Sequence, residues 1–140
     1  MPRRALSIAI DREIASQEAE LIALSNASEL AHGDWAGFYQ RARLQVGASG
    51  RVVILVDPAG REIVNTGLPF GTLRDAPGLE IMKKVVATGL PAVTNLIAAP
   101  GLDRYGVGVE VPVFRDGQVI YVLVMGFGPQ RITNRPDAPT

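Results

Sequence analysis

The feature that most constrains this chain is a pair of apolar arms joined by a turn, Tyr105 to Phe127, which reads YGVGVEVPVF, RDG, QVIYVLVMGF. Both arms are rich in Val, Ile, Tyr and Phe, residues that suit a pleated, half-buried surface. Asp116-Gly117 supplies the positive backbone angles of a tight hairpin turn. A two-residue loop predicts a register in which Arg115 faces Gln118, Val113 faces Ile120, Val111 faces Val122 and Val109 faces Val124. Side chains alternate faces with period two. Those Val and Ile residues are therefore expected on one apolar, buried face, with Ile54 of a neighbouring strand close by. The other face is uneven and carries Glu110, Pro112, Tyr121, Leu123, Met125 and two glycines. A bulge at Gly117 would shift the register by one and exchange parts of the two faces.

The rest of the chain supplies helices and further strands. Leu6, Ile10, Ile14, Gln17, Leu21 and Leu24 recur at steps of four and three, one stripe of a helix. No Gly or Pro interrupts Arg3 to His32, so a single long helix over about 4–32 is expected, stopped by Gly33. Asp34 then caps a second helix, Trp35 to about Val46. Arg51 to Asp57 (RVVILVD) is a nearly continuous apolar run and reads as a strand buried on both faces. Asp57-Pro58-Ala59-Gly60 is a turn by composition, and Arg61 to Thr66 returns as a second strand. Residues 67–77, with two prolines and two glycines, read as an irregular loop. Leu79 to Thr88 is a short helix, Ala92 to Ala98 a third strand, and the hairpin follows. Strands joined mostly by hairpins imply an antiparallel sheet and the α+β class. The expected organisation is one domain over 1–140: the long helix, a helix–sheet body over about 34–132, and a tail over 133–140.

Composition narrows the function. Lys+Arg and Asp+Glu balance at 14 each, so bulk electrostatics recruits neither nucleic acid nor an anionic membrane. With no cysteine, disulfides and thiolate metal sites are excluded. No run of about 18 apolar residues is present to span a bilayer. Catalytic signatures are missing too: there is no GxSxG, no GK[ST] phosphate loop and no HExxH. The one histidine, His32, reads as a solvated helix-end residue, which disfavours a His-dependent triad or a multi-histidine metal site. No enzymatic activity and no cofactor are expected.

A few polar residues stand out. Glu110 lies mid-strand between valines. It either faces water on an edge strand or sits in a polar pocket, paired with Arg104, Tyr121 or the amine of a ligand, since a buried charge requires a partner. Asn65 and Thr66 end a strand at the mouth of the Pro/Gly loop, where small hydrogen-bonding residues orient ligands or simply make a turn. Arg104-Tyr105 enters the hairpin, and an arginine there suits a carboxylate ligand. The expected ligand-binding set is Asn65, Thr66, Arg104, Tyr105, Glu110 and Tyr121, converging on one face.

The segment ILVDPAGREIVNT resembles the strand–turn–strand of PAS-like domains. The long leading helix, GDWAGFYQRAR, NTGLPFGT, LEIMKKVVATGLPAVTNL and VEVPVFRDGQVIYVLVMGF together resemble Cache domains, the extracytoplasmic PAS-like sensors of bacterial histidine kinases, diguanylate cyclases and chemoreceptors. The resemblance covers about residues 5–132. It implies a five-stranded antiparallel sheet behind a long N-terminal helix, short helices over one face, and a small-molecule pocket on one face of the sheet, where Arg104 and Glu110 suit a carboxylate or an amine. It also implies a periplasmic domain of an inner-membrane histidine kinase, flanked by membrane helices; the helical stripe itself, with Leu6 and Ile10 at its early end, leads to the expectation of a homodimer through the N-terminal helix. The Arg-Trp-Tyr cluster and dedicated Asp of amino-acid-binding double-unit relatives have no counterpart here, so ligand identity does not carry over. The competing reading is a cytoplasmic PAS-like interaction or cofactor-binding domain.

Overall fold

The computed structural model describes residues 3–76, 79–96 and 106–127, and among these the side chains of 11–76, 80–93 and 108–126. Helix α1 runs from Arg3 to Ser25, shorter than the sequence suggests. Ser25 Oγ and Asn26 Nδ2 both donate to the carbonyl of Ile22, at 2.6 and 3.0 Å. They occupy the acceptor that Asn26 N–H would need to continue the α-helix, and that N–H turns to Ala23 O instead. A separate turn of helix, α2 (Ser28–Ala31), follows. His32 is exposed, with Nδ1 2.9 Å from Ser28 O, and Gly33 ends the segment at φ 66°. In α3 (Trp35–Val46) the cap is as expected: Asp34 Oδ1 accepts from Gly37 N at 2.9 Å.

Among the described residues the sheet has six strands: β1 Val52–Val56, β2 Arg61–Asn65, β3 Arg74–Asp75, β4 Ala92–Leu96, β5 Gly106–Arg115 and β6 Gln118–Phe127, with α4 (Leu79–Thr88) between β3 and β4. Their order is β3-β2-β1-β6-β5-β4, every pair antiparallel. The short edge strand β3 comes from the expected irregular loop and adds a sixth strand to the expected five. At the β1–β2 turn Asp57 Oδ1 accepts from Ala59 N and Arg61 N at 2.9 and 3.0 Å, the work its position in the turn implies.

The β5–β6 hairpin turns on Asp116 (φ 52°) and Gly117 (φ 78°), and Arg115 faces Gln118 as predicted. Beyond Phe114–Val119 a bulge leaves Ile120 without an opposite residue, and Val113 faces Tyr121 instead. The expected apolar face is thereby split. Val109, Val111 and Val113 share a face with Tyr121, Leu123 and Met125, under α1, α2 and α3. Val122 and Val124 point the other way, beside Glu110, Pro112 and Ile54, and pack with Met82 and Val85 of α4. The sheet is thus buried on both faces, which is why β1 reads as an unbroken apolar run.

On the first face Leu21, Leu24, Phe38 and Ala42 bury against Leu55, Leu123 and Met125. Each fully buried Leu or Phe side chain contributes about 1.5–3 kcal/mol relative to exposure. Ile14 is half-buried, so the α1 stripe packs on the sheet from Ile14 to Leu24.

Candidate functional site

Strand pairing lays two rows of side chains across the α4 face. One runs Ala92, Glu110, Val124, Ile54, Asn65 from β4 to β2. The next runs Pro112, Val122, Val56, Glu62 from β5 to β2. The middle of both rows is aliphatic. The polar groups sit toward the ends, Glu110 on β5 and the Glu62–Asn65 pair on β2, three strand spacings or roughly 14 Å apart at the backbone.

Glu62 reaches this face through a second bulge. Leu55 faces Val64 but Val56 faces Glu62, so Ile63 is the extra residue and Glu62 rotates to the side of Asn65. Asn65 Nδ2 donates to Glu62 Oε1 at 3.1 Å, and Arg74 Nε lies 3.5 Å from the same oxygen. Burial nevertheless pushes the Glu62 carboxyl up, against the opposing pull of Asn65 and Arg74. Its Oε2 is buried with no hydrogen-bond partner among the described residues.

Glu110 is the more isolated of the two. It is 3% exposed, flanked by Ala92 and Val124, and its Oε1 likewise has no partner among the described residues. Burial alone pushes its pKa up from the ordinary carboxylate range to about 7. A buried carboxylate oxygen without a donor is costly, and Glu62 Oε2 is a second such oxygen on the same face among the described residues.

The six residues expected to converge do not all meet. Asn65 and Glu110 share the α4 face. Asn65 is itself engaged: besides Glu62 it accepts from Gly67 N through Oδ1 at 2.9 Å, fixing the entry to the 67–73 loop. Thr66 extends the β1–β2 pairing, with Oγ1 accepting from Val53 N at 2.9 Å and its own N–H donating to Val53 O at 3.0 Å. Tyr121 is on the opposite face, its ring edge-on to Trp35 with centroids 5.5 Å apart. The bulge at Ile120 put it there, since an unbulged hairpin would have placed Tyr121 beside Glu110. The expected convergence of Tyr121 with Asn65 is therefore corrected. Arg104 and Tyr105 lie outside the described residues.

Two charged residues of consequence were not singled out from sequence. Glu62 gives no signal, because only the bulge turns it inward. Arg51, just before β1, is buried on the helical face. Its Nε donates to Ser49 Oγ at 2.8 Å, Nη1 to Gln17 Oε1 at 3.0 Å, and Nη2 to Gln45 O at 3.2 Å. Nη1 also pairs with Glu20 and touches Met125 Sδ at 3.6 Å. Gln17 in turn donates to Glu13 Oε1 at 2.8 Å. One guanidinium thus ties α1 to the end of α3 and to the sheet.

A long helix clamped to one face of an antiparallel sheet, with half-satisfied carboxylates on the other, gives an α+β, roughly PAS-like architecture similar to the sensory domains of chemoreceptors. The ligand-binding domain of Campylobacter jejuni chemoreceptor Tlp3, solved with L-valine, superposes with a TM-score of 0.66 at 14% identity over 94% of this chain. The sensory domain of the same receptor with isoleucine bound gives 0.69 at 14% identity and the same coverage. The chain spans 58% of the length of those structures. No family model and no curated protein matches the sequence.

Proposed function

We propose that the chain is the ligand-sensing module of a bacterial membrane receptor, without chemistry of its own, taking a small molecule on the α4 face of the sheet and reporting it through α1. The observation that carries this is the pair of buried carboxylates, each with an oxygen unpartnered among the described residues, on the face opposite the long helix. The likeness in fold to chemoreceptor sensory domains supports it. The sequence resemblance to Cache domains extends the reading to a periplasmic domain between membrane helices, in a receptor of the histidine kinase type. No described helix is long and apolar enough to cross a membrane.

Signalling requires a ligand that binds two states with different affinity. The Arg51 cluster supplies the mechanical link: a shift of β1 or β6 moves a guanidinium bonded to α1 side chains. A thermal-shift screen of amines, amino acids and carboxylates tests the proposal. At least one class is expected to raise Tm with concentration, because a ligand that binds only the folded state stabilises it. A flat response across all three would overturn it.

Dimerisation through α1 belongs to the same proposal. The helix is 23 residues, about 35 Å at 1.5 Å per residue. Its apolar stripe continues in sequence from Ile14 to Ile10 and Leu6. A parallel pairing through Leu6 and Ile10 suits two chains that enter one membrane from the same side. Sedimentation across concentration should show weak self-association that the double substitution Leu6→Asp, Ile10→Asp abolishes. Undiminished association of the variant, or a parent chain monomeric at high concentration, would put the interface elsewhere.

A further inference from the structure

We infer that the α4 face binds the protonated amine of a small, otherwise apolar molecule, with Glu110 as its charge partner. The inference rests on the reading of this chain as a ligand sensor and names the class of ligand. It follows from the charges that face inward. The described strand positions on this face carry three ionisable side chains: the buried carboxylates Glu62 and Glu110 and, on the edge strand, Arg74 opposite Glu62. Among the described residues the opposing cation is Arg74, which lies against Glu62, not Glu110. Around Glu110, β4 presents Ala92 and β6 presents Val124. From above, α4 turns Met82 and Val85 inward and leaves Glu80, Lys83 and Lys84 exposed.

A carboxylate oxygen only accepts hydrogen bonds when ionised. What Glu110 lacks among the described residues is a donor with positive charge, and an ammonium supplies both. A ligand carboxylate would supply neither, and would meet Glu110 as a like charge unless Glu110 held a proton. The neighbouring side chains, Val124, Ile54, Val122 and Met82, match an aliphatic body. Glu62 Oε2 offers a second acceptor on the same face for a ligand with more than one donor.

Because burial raises Glu110 to about 7, an ammonium must displace its proton at lower pH. Affinity for an amine should therefore rise with pH, up to about tenfold per unit below 7, and level off above. A carboxylate held by protonated Glu110 would show the reverse trend.

The test compares L-valine, isobutylamine (valine without its carboxylate) and 3-methylbutanoate (valine without its amine), at matched ionic strength, by calorimetry and thermal shift from pH 5.5 to 8.5. Each Tm is referred to the same protein without ligand. Isobutylamine should bind most tightly, with the rising pH profile. Glu110→Gln should weaken it at least tenfold, and Glu80→Gln on the outer side of α4 should leave it unchanged. The pH profile of the unsubstituted protein stands independently of how the variants fold. Tighter binding of L-valine or 3-methylbutanoate than of isobutylamine, or amine binding indifferent to Glu110→Gln, overturns the amine assignment while leaving a ligand sensor in place. No binding by these three or by any compound of the wider screen overturns the amine assignment and the sensor reading together.

Discussion

Replacing Arg51 with alanine should cost the fold about 3 kcal/mol, the loss typical of removing one member of a buried, hydrogen-bonded charge cluster. The side chain is 6% exposed and makes contacts to α1, the end of α3, the loop before β1, and β6. Its removal leaves Gln17 Oε1 buried without that donor and the carbonyl of Gln45 without a partner from the sheet side. Glu20, about a third exposed, recovers water and softens the loss. Glu20→Gln should accordingly cost under about 1 kcal/mol, since the remaining carbonyl still accepts from the guanidinium. Urea unfolding checks both: the midpoint should fall sharply for Arg51→Ala with an unchanged slope. A loss below about half a kcal/mol, as at ordinary surface positions, would mean that α1 is held by its leucines alone and the proposed link from sheet to helix is absent.

Glu110→Gln should do the opposite, with a gain that builds up between about pH 4.5 and 7. At pH 4 and below, the carboxyl holds its proton in the folded and unfolded chain alike. Between its unfolded value, near 4.5, and its folded value, about 7, the unfolded chain releases the proton and the folded chain keeps it, so stability falls as pH rises through that window. Above 7 both states are ionised and the loss is constant. The shift corresponds to a penalty on the order of 3 kcal/mol at 1.36 kcal/mol per pKa unit. The ligand-free Gln variant should therefore exceed the parent by 1–3 kcal/mol at pH 8, as an order-of-magnitude range, and gain nothing at pH 4. Glu62, also raised by burial, adds a slope of the same sign to both proteins, so the difference between them isolates Glu110. A variant less stable than the parent at pH 8 would mean that Glu110 already has an internal charge partner.

These two residues also mark how far the sequence could be read. Asp116-Gly117 announced the hairpin because only a few residues accept positive φ, and the turn formed as written. The bulge at Ile120 left no such mark, because it inserts an apolar residue into an apolar strand. It exchanged Tyr121 for Val122 between faces and removed Tyr121 from the candidate site. Glu110 was legible as a charge between valines, and the structure buries it. Glu62 was not, because only the bulge at Ile63 turns it to the face of Asn65. The α1 stripe was visible at Leu21 and Leu24, whereas the break after Ser25 depends on two side chains competing for one carbonyl. Arg51 read as the first residue of a strand, and its role depends on contacts more than 30 residues away in sequence. Local chemistry fixes turns and caps, while phase within a sheet depends on pairing that no short stretch encodes.

The central claim is that a small molecule binds on the α4 side of the sheet. Amide hydrogen exchange tests it most directly, on the protein saturated with whichever of L-valine, isobutylamine and 3-methylbutanoate stabilises it most. The account predicts added protection in α4, residues 79–88, and in β5 around Glu110, with a weaker change in α1 near Gln17 and no added protection in the first turns of α3. Protection concentrated in α2 and α3, around Trp35 and Tyr121, with α4 exchanging as in the free protein, would contradict it.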